Sequence, residues 1–185
     1  MPRVLIPLAQ GCEELEAVTL IDILRRAGIE VIAAGLDEGP VRASRGVVLL
    51  PDTPLERVLD EHFDLIVLPG GMPGMTHLRA DRRLLALLKK TAADGGRVAA
   101  ICAAPAVLAD AGLLDGRRAT SYPGFLDGIA GVIPCEDSVV EDGGVITSRG
   151  PGTALDFALH LVAILVGVTR RNEVEAALMR PDVSA

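Results

Sequence analysis

Short, wholly apolar runs alternate along this chain with stretches of helical period, and that alternation restricts the fold more than any other feature. "RVLIPLA" (3–9), "IEVIAAG" (29–35), "DLIVLPGG" (64–71) and "RVAAI" (97–101) read as strands. Between and after them, "EELEAVTLIDILRRAG" (13–28), "HLRADRRLLALLKKTAADGG" (77–96), "PGTALDFALHLVAILVG" (151–167) and Arg170–Met179 read as helices. A strand that is apolar at every position has no solvent face, so it predicts a parallel sheet covered by helices on both sides. "VRASRGVVLLPD" (41–52), turning near Ser44–Gly46, and "SVVEDGGVITS" (138–148), turning at Asp142–Gly143–Gly144, read as hairpins that add antiparallel edges. With no linker, repeat or low-complexity stretch, the pattern predicts one α/β sandwich over residues 1–185. Its site is expected at the carboxyl ends of the strands.

Composition removes several classes of function. Half of the 185 residues are hydrophobic, which is enough for a packed core. The net charge of −7 and the scarcity of aromatics (one Tyr, three Phe, no Trp) argue against nucleic acid and against an anionic membrane surface. Val4–Ala9 is too short for the core of a secretory signal, and Phe157–Val166 is too short to span a bilayer. The three cysteines, Cys12, Cys102 and Cys135, form neither a CxxC nor a Cys/His zinc pattern, so no metal site is expected. An odd set of unpaired thiols suits a reducing cytoplasm.

Three predicted strand ends lead into helices: at Gly11–Cys12–Glu13, at Gly70–Gly71 and at Cys102. In "RVAAICAAPAVLA" (97–109), Cys102 stands where the strand turns into the helix. Its small neighbours, Ala99, Ala100, Ala103 and Ala104, permit the sharp turn that lifts a nucleophile above a sheet. A helix start would lower the thiol pKa. A free cysteine also packs well as an inert small hydrophobe, and this stretch by itself leaves both readings open.

Glu16 favours the reactive reading. It shares a helix face with Leu20, Ile23 and Ala27, where a carboxylate is unfavourable unless neutral or paired. Glu13 and Glu14 have an ordinary role as first-turn acids. A protonated Glu16 donating to a Cys102 thiolate would make an acid/base pair set apart by environment. In "LPGG" (68–71), glycines after a buried strand let the backbone approach a bound oxygen, so the Gly71 and Ala103 amides are candidates for an oxyanion site.

The stretches "GCEELEAV", "IDILRRAGI", "SRGV", "DLIVLPGG", "AAICAAPAVLA" and "TSRGPGTALDFAL", in this order, resemble the ThiJ/PfpI superfamily, and most closely its parkinsonism-associated deglycase (DJ-one-like) branch. The resemblance implies a flavodoxin-like sandwich and a homodimer. It places the reactive cysteine at Cys102, the protonated glutamate at Glu16 and the oxyanion amides at Gly71 and Ala103, beside Gly70. Arg45, Ser148 and Arg149 match positions that line the pocket or the dimer contact, and Arg26 one that reaches across the dimer. Tyr122 stands where some close relatives carry a His, and it is expected either to hydrogen-bond substrate or to fill space.

The implied activity is a cofactor-free conversion of small 2-oxoaldehydes, methylglyoxal to lactate, with deglycation as its related form. A redox sensor or stress chaperone built on oxidation of Cys102 is the alternative. Protease-like members of the superfamily carry a His directly after the cysteine, and here that residue is Ala103, which disfavours a peptidase or amidase. His160, within an apolar helix, is expected to be a core or interface residue rather than a base. Cys12 is read as a small turn residue, with resolution of an oxidised Cys102 as the alternative.

Overall fold

The computed structural model describes residues 1–180. The last five residues of the expected 1–185 unit lie outside the described residues. In chain order the strands are β1 (Arg3–Leu8), β2 (Glu30–Gly35), β3 (Val41–Arg42), β4 (Val48–Leu49), β5 (Thr53–Pro54), β6 (Leu65–Leu68), β7 (Arg97–Ile101), β8 (Arg118–Ala119), β9 (Ile133–Pro134), β10 (Val139–Asp142) and β11 (Val145–Ser148). The helices are α1 (Glu14–Arg26), α2 (Gly74–Ala80), α3 (Arg82–Ala93), α4 (Pro105–Asp110), α5 (Ala154–Val166) and α6 (Val168–Ala177).

Seven strands form the main sheet in the order β10-β11-β7-β6-β1-β2-β5. Every pairing in it is parallel except β10 with β11. The predicted mostly parallel α/β sandwich is therefore the observed fold. Successive side chains go to opposite faces, as a pleated strand requires. Val4, Ile6 and Leu8 of β1 join the layer under α1, α5 and α6, whereas Leu5 joins the layer under α2, α3 and α4. Leu65 and Val67 separate from Ile66 and Leu68 in the same way. The strands read as continuous apolar runs because both faces are covered.

Two details differ from the sequence expectation. Of the two hairpins, β10–β11 forms an edge of the main sheet, whereas β3–β4 pairs only with itself. The edge beyond β2 is the two-residue β5 instead. The helix expected over 77–96 is two helices, because the Asp81 side chain accepts from the N–H groups of Arg83 and Leu84 and starts α3 afresh. No described helix is long and apolar enough to cross a membrane.

The chain leaves β1 toward β2 and β5 on one side, and toward β6, β7 and β11 on the other. The carboxyl ends of β1, β6 and β7 consequently sit side by side next to this reversal of direction, where a doubly wound sheet opens a crevice.

Candidate functional site: a cysteine elbow over a buried carboxyl

Cys102 follows β7 directly and has φ 64°, in the left-handed region that a non-glycine residue rarely enters. Two backbone bonds hold it there: its N–H donates to the Ser148 carbonyl at 3.0 Å, and its carbonyl accepts from the Tyr122 N–H at 2.8 Å. The helix after it begins at Pro105, two residues beyond the expected start, and runs for only six residues. The side chain is partly exposed and packs against both core layers.

Glu16 lies on the first turns of α1 and is 0 % exposed, in line with the buried Leu20, Ile23 and Ala27. It is therefore in the middle of the apolar stripe and not at its border. One carboxyl oxygen, Oε2, accepts from the Gly70 N–H at 2.8 Å. The other, Oε1, has no hydrogen-bonding nitrogen or oxygen among the described residues. No hydrogen bond joins this carboxyl to the Cys102 thiol, but the two lie close enough to shift each other's titration.

The two groups shift each other. Burial lifts the Glu16 carboxyl to about 7, against the Gly70 N–H and the Cys102 thiol, which favour its ionised form. Burial, and then the ionised Glu16, push the Cys102 thiol up to about 12, while the amides of Gly71 and Ala103 pull it down. The expected lowering by a helix start is thus outweighed, first by burial and then by Glu16. Carboxyl and thiol titrate as a pair. A proton on Glu16 removes its repulsion of a thiolate, which the amides of Gly71 and Ala103 favour.

Glycine is required where β6 meets this elbow. A Cβ on Gly70 would come within 2.8 Å of the Cys102 Cβ and 3.0 Å of the Ala103 nitrogen. Gly71 has φ 91°, and a Cβ there would lie 2.7 Å from the Cys12 carbonyl carbon. The loops after β1 and β6 also clasp through Glu13 N–H to the Gly70 carbonyl (2.9 Å) and Gly74 N–H to the Gly11 carbonyl (3.1 Å).

A cavity of about 300 Å³ opens above the thiol, lined by Glu13, Ser44, Arg45, Gly71, Met72, Cys102, Ala103, Tyr122, Phe125 and Pro151. It gathers Cys102, Gly71, Ala103, Arg45 and Tyr122 from the sequence-predicted set. Glu16 and Gly70 lie beneath it. Ser148 supports the elbow from behind: its side chain is buried, and its hydroxyl is 2.7 Å from both the Ser138 carbonyl and the Thr153 hydroxyl. Arg149 is not in this cavity. Its guanidinium donates to the Glu136 carbonyl at 2.8 Å, and it lines a separate hollow with Ser121 and Cys135. Adjacent residues at a strand end point to opposite sides, so Ser148 and Arg149 part company. Arg26 stands at the far end of α1, paired with Asp22 at 2.7 Å.

The remaining candidates resolve plainly. Cys12 is fully buried and its thiol is pushed up to about 12, first by burial and then by Glu14, so its position after a strand does not activate it. The Cys135 sulfur accepts from Arg118 Nε at 3.4 Å. None of the three histidines, His62, His77 and His160, lines the Cys102 cavity. His160 is partly exposed, with Nε2 3.1 Å from a Glu141 oxygen.

Sequence reasoning missed Glu13, Ser44, Met72, Phe125 and Pro151 as cavity residues, and the structural role of Glu14. The Glu14 carboxylate accepts from the N–H groups of Arg45 (2.9 Å) and Val47 (3.3 Å) and from the Ser44 hydroxyl (3.1 Å), fixing the loop that carries Ser44 and Arg45 to the cavity. A first-turn acid gives no hint of this, because its partners lie about thirty residues away in sequence.

A flavodoxin-like sandwich whose central strand ends bring together a strained cysteine, a buried carboxyl and two backbone amides facing the sulfur defines a class of cysteine-elbow proteins. The chain belongs to the DJ-1/PfpI family, whose model matches residues 2–164. It is 44% identical over 178 residues to protein dj-1beta of Drosophila melanogaster, with 95% of each chain covered. It is 37% identical over 180 residues to the Caenorhabditis elegans protein named glutathione-independent glyoxalase DJR-1.2, covering 96% of this chain and 93% of that one. The solved structure of oxidised Toxoplasma gondii DJ-1 superposes with a TM-score of 0.93 at 41% identity, covering 97% and 98%.

Proposed function

We propose that the protein is a cofactor-independent cysteine enzyme that converts reactive 2-oxoaldehydes to 2-hydroxy acids, methylglyoxal to lactate being the type reaction. The observation that carries this reading is the fully buried Glu16, with one oxygen fixed by Gly70 and the other lacking a nitrogen or oxygen partner beside Cys102. Such a carboxyl can exchange a proton with whatever is bound to sulfur. The Cys102 thiolate adds to the aldehyde carbon and forms a hemithioacetal. The Gly71 and Ala103 amides stabilise the oxygen that gains charge. Glu16 takes the proton from the former aldehyde carbon and returns one to the neighbouring carbon through an enediol, leaving a 2-hydroxyacyl thioester. Water cleaves that thioester, and the hydroxy acid leaves with Cys102 restored. The name of the C. elegans relative supports this reaction class.

The test is lactate formation from methylglyoxal by the chelator-treated protein, with Cys102→Ser as background. Lactate above that background supports the reading, and none above it refutes it.

A second reading, redox sensing through Cys102, is favoured by the accessible sulfur between two amide donors and by the related structure named as the oxidised form. Sulfinate oxygens would occupy the sites proposed for substrate oxygen. Intact mass after mild peroxide should show a two-oxygen adduct on Cys102 before any on Cys12 or Cys135.

The proposal includes a homodimer and a cytoplasmic setting. Leu15 and Val18 on α1 are exposed, as are Val47, Val48 and Leu50 in the segment around β4, which Glu14 ties to that helix. Exposed apolar surface of this kind suits burial against a second copy. Free thiols suit a reducing compartment.

A further inference from the structure

Aromatic residues are scarce in this chain, with one Tyr and three Phe, and their placement is uneven. Phe63 and Phe157 are buried in the two core layers. The other two, Tyr122 and Phe125, both line the Cys102 cavity. They meet edge to face, with ring centroids 6.3 Å apart and planes at 73°. Phe125 is partly buried and packs on the core layer under α2, α3 and α4. Tyr122 rests against it with half of its surface open to solvent. The ring also lies against Gly150, where a Cβ would reach 3.4 Å from Cδ2.

An exposed tyrosine in so aromatic-poor a chain needs a reason. Packing supplies none, since half of the residue is outside the packing. Tyr122 is also tied to the nucleophile, because its N–H donates to the Cys102 carbonyl at 2.8 Å. The ring therefore stands at a fixed place relative to the sulfur. Met72, also about half exposed, adds a polarisable apolar surface to the same cavity. The cavity of about 300 Å³ falls at the lower end of the roughly 300–1,000 Å³ range of sites for drug-sized ligands. A three-carbon aldehyde leaves most of it empty.

We propose that Tyr122, with Phe125 and Met72, forms a substituent subsite that selects 2-oxoaldehydes bearing an aryl or similarly large apolar group. This rests on the 2-oxoaldehyde reading of the same site. The carbonyl end of the substrate meets Cys102 and the Gly71 and Ala103 amides. The substituent lies on the open face of Tyr122, where an aromatic ring gains both apolar burial and stacking. Tyr122 acts as a specificity residue through its ring, and its hydroxyl is dispensable.

The experiment compares initial rates with glyoxal, methylglyoxal and phenylglyoxal, each corrected for the Cys102→Ser background. The native protein should show a kcat/KM for phenylglyoxal about tenfold or more above that for glyoxal, mainly through KM. Tyr122→Ala should lower the phenylglyoxal-to-glyoxal ratio about tenfold, and Tyr122→Phe should retain it. A merely structural tyrosine would depress all three substrates together and leave the ratio unmoved. Turnover of glyoxal and methylglyoxal with no preference for phenylglyoxal, or a ratio unchanged in Tyr122→Ala, overturns the subsite and leaves the enzyme reading standing. Absence of turnover for all three overturns the enzyme reading itself.

Discussion

Replacing Glu16 by glutamine should remove a pH dependence of stability that the native protein carries near neutrality. The side chain is 0 % exposed, and burial raises its carboxyl from 4.5 to about 7. The unfolded chain releases this proton near its ordinary value, while the folded chain holds it to about 7. Between those values the folded state binds the additional proton. Stability from this group is thus full below about pH 4.5 and is lost as pH rises through about 7. At about 1.4 kcal/mol per tenfold change in proton affinity, the complete loss is about 3 kcal/mol. Glutamine cannot ionise, its oxygen can still accept from the Gly70 N–H, and its amide can face the side chain at position 102. Glu16→Gln should therefore match the parent in stability near pH 4 and exceed it by up to about 3 kcal/mol near pH 8.5. Urea unfolding across that range measures the difference, with both proteins in a Cys102→Ser background so that the thiol does not titrate. Lactate formation by Glu16→Gln with Cys102 intact should fall about 100-fold or more. A stability difference flat with pH, or one that favours the parent at high pH, would refute the buried-acid reasoning.

Other outcomes are equally specific. Gly70→Ala places a methyl 2.8 Å from the Cys102 Cβ, so it should cost about 1–3 kcal/mol and strongly reduce lactate formation. Gly152→Ala, which meets nothing within 4 Å, should change stability by less than about 0.5 kcal/mol and serves as the comparison for that variant. Iodoacetamide labelling of the folded protein near pH 8, read by peptide mass, should modify Cys135 first, Cys102 more slowly because burial and the ionised Glu16 hold it as a thiol, and the fully buried Cys12 only once denaturant is added. Leu50→Glu, at a residue 81% exposed on the β3–β4 hairpin, should shift sedimentation from dimer to monomer; a sedimentation coefficient equal to the parent's would place the dimer face elsewhere.

How far the chain could be read in advance depended on the range of the interaction. The β1, β2, β6 and β7 runs were legible because burial on both faces leaves a continuous apolar signature. The break at Asp81 was not, since one capping residue hardly disturbs a helical period that resumes immediately. The identity of the edge strand beyond β2 was also hidden, as two residues at Thr53–Pro54 carry no period at all.

The site divides along the same line. Sequence by itself determined that Cys102 stands at a strand-to-helix junction among alanines, that Glu16 shares an apolar helix face, and that two glycines follow a buried strand. These are local facts, set by neighbours within about one helical turn. That β6 lies between β1 and β7, so that Glu16, Gly70 and Cys102 converge, was decided by sheet order. So was the direction of the thiol shift, because desolvation and the distance to a carboxylate are properties of packing. The separation of Arg149 from the cavity and the joining of Tyr122 with Phe125 above it are likewise tertiary. Each depends on where a backbone turns after its strand has ended, and no pattern of residue types along a single element records that.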